Sequence, residues 1–305
     1  MVDERKEYTA SDCVTPANVA ENICNNIMPA KAGYGKTKTL VLSIAAGAFI
    51  AFGAQLSMTA MTGSNLGFGL TKLIGGIVFA AGLIMVVLMG AELFTGNVMM
   101  TFSVIEKKMS LGRLLRSWGL VYLGNFIGSV LVALLVFWSG VGHNCNDAVG
   151  AMAVNTAHMK MNLPLAQAFV RAILCNWLVC IAIWMALSAK TVIGKIFSII
   201  FPITTFCASG FEHSIANMFF LTDGMLMKSQ SAIALASGLS PEQLATMNLK
   251  AFFLGNLIPV TLGNIVGAFV FIVLLFWTAY IRNDAHATSD VAPHPHASNH
   301  EIVMH

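Results

Sequence analysis

Charged side chains are scarce in this sequence. Asp, Glu, Lys and Arg make up 10% of the 305 residues, whereas hydrophobic residues make up 57%. A soluble globular domain carries about 25% charged residues, so the composition excludes that class. The net charge of +3 is small as well, and we expect no nucleic-acid partner. The sequence instead predicts an all-α integral membrane protein whose partner is the lipid bilayer.

Motifs for metal binding, redox chemistry and secretion are also lacking. The six cysteines include no CxxC pair, so neither a zinc site nor a redox motif is predicted. We expect no cofactor, no metal and no enzymatic activity. The chain is polar through Thr37 and shows no early hydrophobic region with a cleavage site, which argues against a secretory signal peptide.

Long hydrophobic runs dominate what is present. A helix needs about 20 apolar residues to cross a bilayer, and we predict six spans: Leu40–Met61, Leu70–Phe102, Ser117–Val141, Leu165–Leu187, Ile193–Leu221 and Ala251–Tyr280. The second and fifth are too long for one straight helix. Each contains a polar interruption, at residues 90–97 and 209–217, so we predict that both helices are broken.

The two interruptions resemble each other. Each has a Gly two residues before a Glu and then a closing Asn, as in Gly90, Glu92 and Asn97. The spans that follow share a Gly-Asn pair, Gly124-Asn125 and Gly263-Asn264. Residues of about 40–141 and 165–280 therefore look like two copies of a three-helix unit in opposite orientations. Broken helices at matching points of an inverted repeat point to a transport site.

The basic residues predict an orientation and domain limits. Twelve of the 17 Lys and Arg residues fall on the side that carries both termini, which places the termini in the cytoplasm. We predict a cytoplasmic N-terminal segment (1–36), a transmembrane channel domain (37–282) and a disordered cytoplasmic tail (283–305). The string Ser240-Pro241-Glu242-Gln243 predicts a helix start with a serine cap.

Three ionisable residues could carry function within the spans. His213 is the only histidine in any predicted span, and such a residue at membrane depth is a functional candidate, unless it only bonds within helix packing. Glu92 and Glu212 either line a pore or accept hydrogen bonds from backbone N–H groups that the breaks leave free. We favour the second role because a pore-lining carboxylate would repel an anion. The helices that restart after the breaks would attract an anion at the midplane.

Further candidates surround these three. Lys160 precedes the fourth span and could raise the anion concentration at the outer mouth, or be an ordinary interfacial lysine. Asn176 could face a pore or bond two helices. Aromatic and aliphatic side chains near the breaks are either packing or hydrophobic constrictions: Phe79, Leu83, Phe94 and Phe206.

At these motifs the chain resembles the formate/nitrite transporter family. The matching strings are Ala91-Glu92-Leu93-Phe94-Thr95-Gly96-Asn97, Asn176-Trp177-Leu178-Val179-Cys180, Gly210-Phe211-Glu212-His213-Ser214-Ile215-Ala216-Asn217-Met218 and Asn256-Leu257-Ile258-Pro259-Val260-Thr261-Leu262-Gly263-Asn264. The resemblance covers residues of about 40–282. It implies an aquaporin-like protomer of six helices, a homopentamer, and one pore through each protomer.

The resemblance also implies roles for particular residues. They are an outer constriction at Phe79 and Phe206, an inner one at Leu83, Leu93 and Phe94 with Thr95 beside it, chamber groups at Asn176 and His213, and a vestibule lysine at Lys160. One departure is that Met161-Asn162-Leu163-Pro164 follows the lysine, where formate channels commonly have two histidines. The string Glu92-Leu93-Phe94-Thr95-Gly96 also resembles the nitrite branch.

The function that we predict is passive or proton-linked movement of formate through a cell membrane, with nitrite or hydrosulfide as alternatives. His213 would either protonate the substrate or only donate a hydrogen bond. A haem-holding membrane anchor needs paired axial ligands, which a single histidine in the spans does not supply. A water or glycerol channel is disfavoured because the paired Asn-Pro-Ala boxes are absent.

Overall fold

The structure is a computed structural model that describes residues 13–282. Its α-helices are α1 (Pro16–Asn22), α2 (Met28–Ala32), α3 (Lys36–Met61), α4 (Gly67–Leu88), α5 (Phe94–Asn97), α6 (Thr101–Ile105), α7 (Leu111–Ser139), α8 (Ala148–Met161), α9 (Leu165–Ser188), α10 (Val192–Ala208), α11 (Ser214–Met227), α12 (Ser231–Ala236), α13 (Pro241–Thr246) and α14 (Ile258–Ala268). Short 3₁₀ turns lie at Val98–Met100 and Val141–His143. Wider π-type turns lie at Ile23–Ile27, Ala251–Leu257, Phe269–Leu274 and Trp277–Arg282. The predicted tail lies outside the described residues.

Five helices in the described part of the chain are long and apolar enough to cross a membrane: Lys36–Met61, Gly67–Leu88, Leu111–Ser139, Leu165–Ser188 and Ala251–Arg282. The predicted fifth span is divided between α10 and α11, which lie on either side of residues 209–213. The second span breaks at residues 89–93, after α4. The prediction of an all-helical inverted repeat with broken second and fifth helices is confirmed.

The helices begin earlier than the hydropathy of the sequence suggests. α3 begins at Lys36 and α7 at Leu111, whereas the predicted spans begin at Leu40 and Ser117. Hydropathy reports only the part of a helix inside the hydrocarbon layer, and basic residues extend each helix toward the lipid headgroups. The serine cap at Ser240 is confirmed, since it forms a full capping box with Gln243 at the start of α13.

Close contacts between backbones hold the spans together. A Cβ atom on Gly128 of α7 would lie 2.0 Å from the carbonyl oxygen of Ile44 in α3. A Cβ atom on Gly267 of α14 would lie 2.3 Å from the carbonyl oxygen of Ile173 in α9. Small residues allow such approach between helices in membranes, where packing replaces the hydrophobic effect. Each repeat thus contains a helix pair in backbone contact, α3 with α7 and α9 with α14.

Helices that the sequence analysis did not predict cover both ends of the bundle. α1 and α2 bury Val19, Ala20 and Met28 against the bundle. At the opposite end, α8 lies between the third and fourth spans and packs along α11. This end is called the outer face here, and the end that carries α2 is called the inner face.

A histidine joins two loops of the outer face. The Nδ1 atom of His143 lies 2.5 Å from Oδ1 of Asp147, and its Nε2 atom lies 2.7 Å from Oε1 of Gln230. The hydrogen bonds that His143 donates to Asp147, which has the larger effect, and to Gln230 raise the pKa of His143 above its usual value. The loop before α8 is thereby joined to the loop before α12.

Candidate functional site

Two asparagines hold the helix breaks in place. The backbone N–H of Phe94 donates to Oδ1 of Asn125 at 2.9 Å, and that of Ser214 donates to Oδ1 of Asn264 at 2.9 Å. Each asparagine amide then donates to two carbonyl oxygens, one of which belongs to Glu92 or Glu212. Both asparagines are fully buried. They therefore supply partners for backbone groups that the breaks leave unpaired.

The glutamate side chains take different partners from those that we expected. Oε1 of Glu92 lies 3.0 Å from Nζ of Lys31, and Oε2 accepts from the amide of Asn97 at 2.7 Å. The freed backbone donors go to Asn125 and Asn264 instead, because an amide can accept one bond and donate two at the same place. The carboxylate groups of the two glutamates therefore pair with lysine side chains rather than with backbone N–H groups.

The second break repeats this arrangement. Oε1 of Glu212 accepts from Nζ of Lys160 at 2.8 Å, and Oε2 accepts from the amide of Asn217 at 2.6 Å. Asn256 also donates to Oε2, at 3.2 Å. Each break thus holds a Lys-Glu-Asn triad, and in each the lysine neutralises a buried carboxylate.

Lys160 differs from the free vestibule charge that we expected. It is only 9% exposed, and its Nζ atom lies 5.3 Å from the ring centre of Phe220 in addition to its bond with Glu212. Its charge is offset by that of the carboxylate, so its attraction for a distant anion is reduced.

His213 and Thr95 meet between the two breaks. Nε2 of His213 lies 3.0 Å from Oγ1 of Thr95, and Nδ1 accepts the backbone N–H of Ala216 at 3.0 Å. Nδ1 must keep its lone pair to accept that bond, so the hydrogen-bond network assigns the proton to Nε2. His213 is therefore the N-cap of α11 and offers one N–H group toward Thr95.

A cavity of about 500 Å³ opens from the outer face and reaches His213. His213, Glu212 and Asn217 line it together with three basic residues, Lys72, Lys160 and Arg171. The rest of the lining is largely apolar and aromatic, including Phe68, Phe211 and Phe220. The lining therefore carries more positive than negative charge.

An aromatic pair stands beside His213. The ring centres of Phe79 and Phe206 are 5.5 Å apart in an edge-to-face contact, and Phe206 lies 5.9 Å from the His213 ring. Both phenylalanines line the cavity, as a constriction would require. Their role as the outer constriction remains a prediction.

The other predicted pathway residues lie outside the lining of this cavity. Leu83, Leu93 and Phe94 are buried, and the Phe94 ring packs edge-to-face on Trp118 and Tyr122. The resemblance assigns these three residues to the inner constriction. That role stays a prediction.

Asn176 supports the loop that carries Thr95. Its amide donates to the carbonyl oxygens of Thr95 at 3.1 Å and of Asn264 at 2.8 Å. Both N–H bonds are thereby used within the protein, which leaves no donor for a substrate. Asn176 links the two repeats at the midplane.

Sequence reasoning missed Lys31 and the two clamping asparagines. Lys31 precedes the start of α3 at Lys36 by five residues, and Lys160 precedes the start of α9 at Leu165 by the same five residues. That equal spacing could have revealed the inner lysine. Asn125 and Asn264 stood in the matching strings, but their position alone did not show which groups they bond.

The described part of the chain contains no cluster of metal-ligating side chains. Between residues 13 and 282, no group of three or more His, Cys, Asp or Glu side chains could hold a metal ion. The polar groups around His213 are arranged to hold backbone and to donate single hydrogen bonds.

Comparison with known proteins finds relatives that are described as channels or transporters. A family model described as Formate/nitrite transporter matches residues 17–278. Formate channel FocA of Escherichia coli strain K12 is 36% identical over 278 residues, covering 90% of this chain and 97% of that protein. A probable formate transporter of Methanothermobacter thermautotrophicus is 39% identical over 285 residues, covering 88% and 97%.

Solved structures agree with this result. A pentameric formate channel with formate bound is 35% identical with a TM-score of 0.74, covering 81% of this chain and 98% of that chain. An FNT family ion channel is 31% identical with a TM-score of 0.68, covering 87% and 95%. These relatives are channels and transporters rather than enzymes.

Proposed function

Because the chain belongs to the formate/nitrite transporter family, we propose that it conducts formate across the cell membrane. The single observation that carries this proposal is the hydrogen-bonded His213–Thr95 pair, whose histidine lines the outer cavity. The relatives named for formate support the choice of substrate. Nitrite and hydrosulfide are the alternatives, since each is also a small monovalent anion.

The route begins in the outer cavity. At about 500 Å³ the cavity is far larger than a formate ion, so it collects anions without selecting them by size. Selection falls to the Phe79–Phe206 pair, where an anion must lose water to pass. Dehydrating a charge in a medium of low dielectric constant costs several kcal/mol, and the hydrogen-bond donors beyond the pair offset part of that cost.

His213 supplies a hydrogen bond rather than a proton in this proposal. An imidazolium would carry a proton on Nδ1, facing the N–H of Ala216 that Nδ1 now accepts. Protonation would therefore cost the cap of α11, which is worth about 1 kcal/mol. Neutral His213 keeps the cap and presents Nε2–H, and Thr95 Oγ1 relays the bond to the passing anion.

We further propose that five copies assemble, each with its own pore, in the cell inner membrane with both termini in the cytoplasm. The pentameric relative supports the assembly. The distribution of Lys and Arg supports the orientation.

Flux into liposomes tests the substrate. Formate, nitrite, hydrosulfide, acetate and lactate are compared at one concentration, and formate is expected to pass fastest. If nitrite or hydrosulfide passed faster than formate, that anion would be the substrate of the same pore.

Two substitutions at His213 test its role. His213→Asn retains an amide donor that cannot titrate, so under the hydrogen-bond model it should keep most of the flux and the wild-type pH dependence. His213→Phe removes the donor at similar bulk and should lower flux at least tenfold. If His213→Asn abolished the rise of flux with falling pH and the accompanying proton movement, the histidine would be a proton donor after all.

A further inference from the structure

The inner face carries two arginines at positions where a positive charge destabilises the helix that contains them. Arg113 and Arg116 lie in the first two turns of α7, which Ser110 caps. The N-terminus of a helix bears partial positive charge, so cations there are unfavourable. Neither guanidinium forms an ion pair with a carboxylate among residues 13–282. Helix stability therefore does not explain them.

The two arginines share a cleft with Lys31. The cleft is lined by Lys31, Ala32, Tyr34, Thr39, Arg113, Arg116, Ser117 and Leu120. This lining contains three cations, three hydroxyl groups and no carboxylate. Its enclosed space is about 10 Å³, close to the size of one water molecule. The cleft can therefore seat one oxygen atom of a ligand while the rest of the ligand remains outside.

We propose that Lys31, Arg113 and Arg116 form a binding site for a phosphate group. Three cations exceed the charge of a single carboxylate but suit a phosphate that carries close to two negative charges. Guanidinium groups bind phosphate oxygens in a forked geometry, and the hydroxyl of Ser117 adds a donor. The phosphate comes either from an anionic lipid headgroup or from a soluble phosphate compound.

The site shares one residue with the inner helix break. Nζ of Lys31 lies 3.0 Å from Oε1 of Glu92 and 3.4 Å from Oδ1 of Asn97, and Lys31 also lines the cleft. A bound phosphate and Glu92 therefore compete for one ammonium group. Phosphate binding weakens the hold of Lys31 on the break, and loss of the carboxylate charge strengthens phosphate binding. This competition does not depend on which anion the pore conducts.

Binding of inorganic phosphate to the full-length protein in neutral detergent, measured by calorimetry, is the first test. The double variant R113Q/R116Q should bind at least tenfold more weakly than wild type. The control K107Q/K195Q removes two charges from the same face but none from the cleft, and it should bind like wild type. Should the double variant not assemble, each single arginine variant should still weaken binding severalfold.

A lipid arm distinguishes the source of the phosphate. Protein is incorporated into nanodiscs of phosphatidylcholine with or without phosphatidic acid, and retained lipid is measured by mass spectrometry. A lipid site retains phosphatidic acid in wild type and in the control but not in R113Q/R116Q. A site for soluble phosphate shows the loss only in calorimetry. If wild type and R113Q/R116Q were equal in both assays, the site would be disproved.

The variant E92Q tests the competition with Glu92. It removes the charge that holds Lys31 and should tighten phosphate binding severalfold, whereas the control E106Q, on the same face, should not. Unchanged binding in E92Q would show that Lys31 does not exchange between the two partners.

Discussion

The ion pair between Lys160 and Glu212 combines burial with full charge. The Lys160 side chain is 11% exposed and that of Glu212 is 4% exposed. Removing one partner of such a pair leaves an uncompensated charge, which costs about 3–5 kcal/mol. Removing both avoids that penalty. The pair therefore matters more to the stability of the second break than to long-range attraction.

We predict that Lys160→Gln strongly destabilises the protein and that Lys160→Gln combined with Glu212→Gln recovers most of the loss. Thermal unfolding in detergent measures both. Flux through Lys160→Gln should fall equally at low and high salt, because a buried pair is weakly screened. The control Lys72→Gln, in the same cavity but without a carboxylate partner among residues 13–282, should lower flux only at low salt. A salt-dependent loss in Lys160→Gln would identify it as a free vestibule charge.

The helices and helix breaks could be predicted where their amino-acid composition differs from that of the neighbouring sequence. Glycine, glutamate and asparagine inside an apolar run revealed both breaks, since such residues are costly at membrane depth. α8 was missed because its sequence is short and mixed, with Asn155, His158 and Lys160 among small residues. α1 and α2 were missed because their buried side chains stand in a polar stretch that resembles a tail.

The contacts of the site were less predictable than its elements. Matching strings placed Asn125 and Asn264 at equivalent points, yet the sequence did not show that each would bond one amide and two carbonyls. Asn176 was assigned to a chamber by the resemblance alone, and the sequence left a bond between two helices open as the alternative. Its two carbonyl partners depend on the packing of three separate segments, which no local pattern encodes.

The backbone contact of α3 with α7 gives a test at the level of the helix pair. Gly128→Ala places a methyl group 2.0 Å from the Ile44 carbonyl oxygen, so the helices must separate, at a cost of about 1–3 kcal/mol. Gly112→Ala lies on the same helix with nothing within 4 Å and should be neutral or slightly stabilising. The yield of assembled protein and its thermal unfolding compare the two. Equal behaviour would mean that the pair is not closely packed in the membrane.

The whole molecule carries natural markers of its orientation. Cys145 is exposed in the loop before α8, and Cys13 is exposed at the opposite end. With both termini in the cytoplasm, a membrane-impermeant maleimide added to intact cells should label Cys145, and Cys145→Ser should abolish that labelling. Cys13 should react only after the membrane is opened. Labelling of Cys13 in intact cells would reverse the proposed orientation.

Lys31 lies in the segment before the first span, and its charge contributes to the electrostatic potential of the pore. A chain truncated before Tyr34 would keep every span, but Glu92 would lose its counter-charge while Glu212 kept Lys160. One uncompensated negative charge near the inner end would then oppose anions unequally in the two directions. Under equal and opposite voltages the truncated pore should rectify, whereas the full chain should give a nearly linear current–voltage curve. The N-terminal segment thus supplies the positive charge that makes the two repeats of the pore alike in charge as well as in shape.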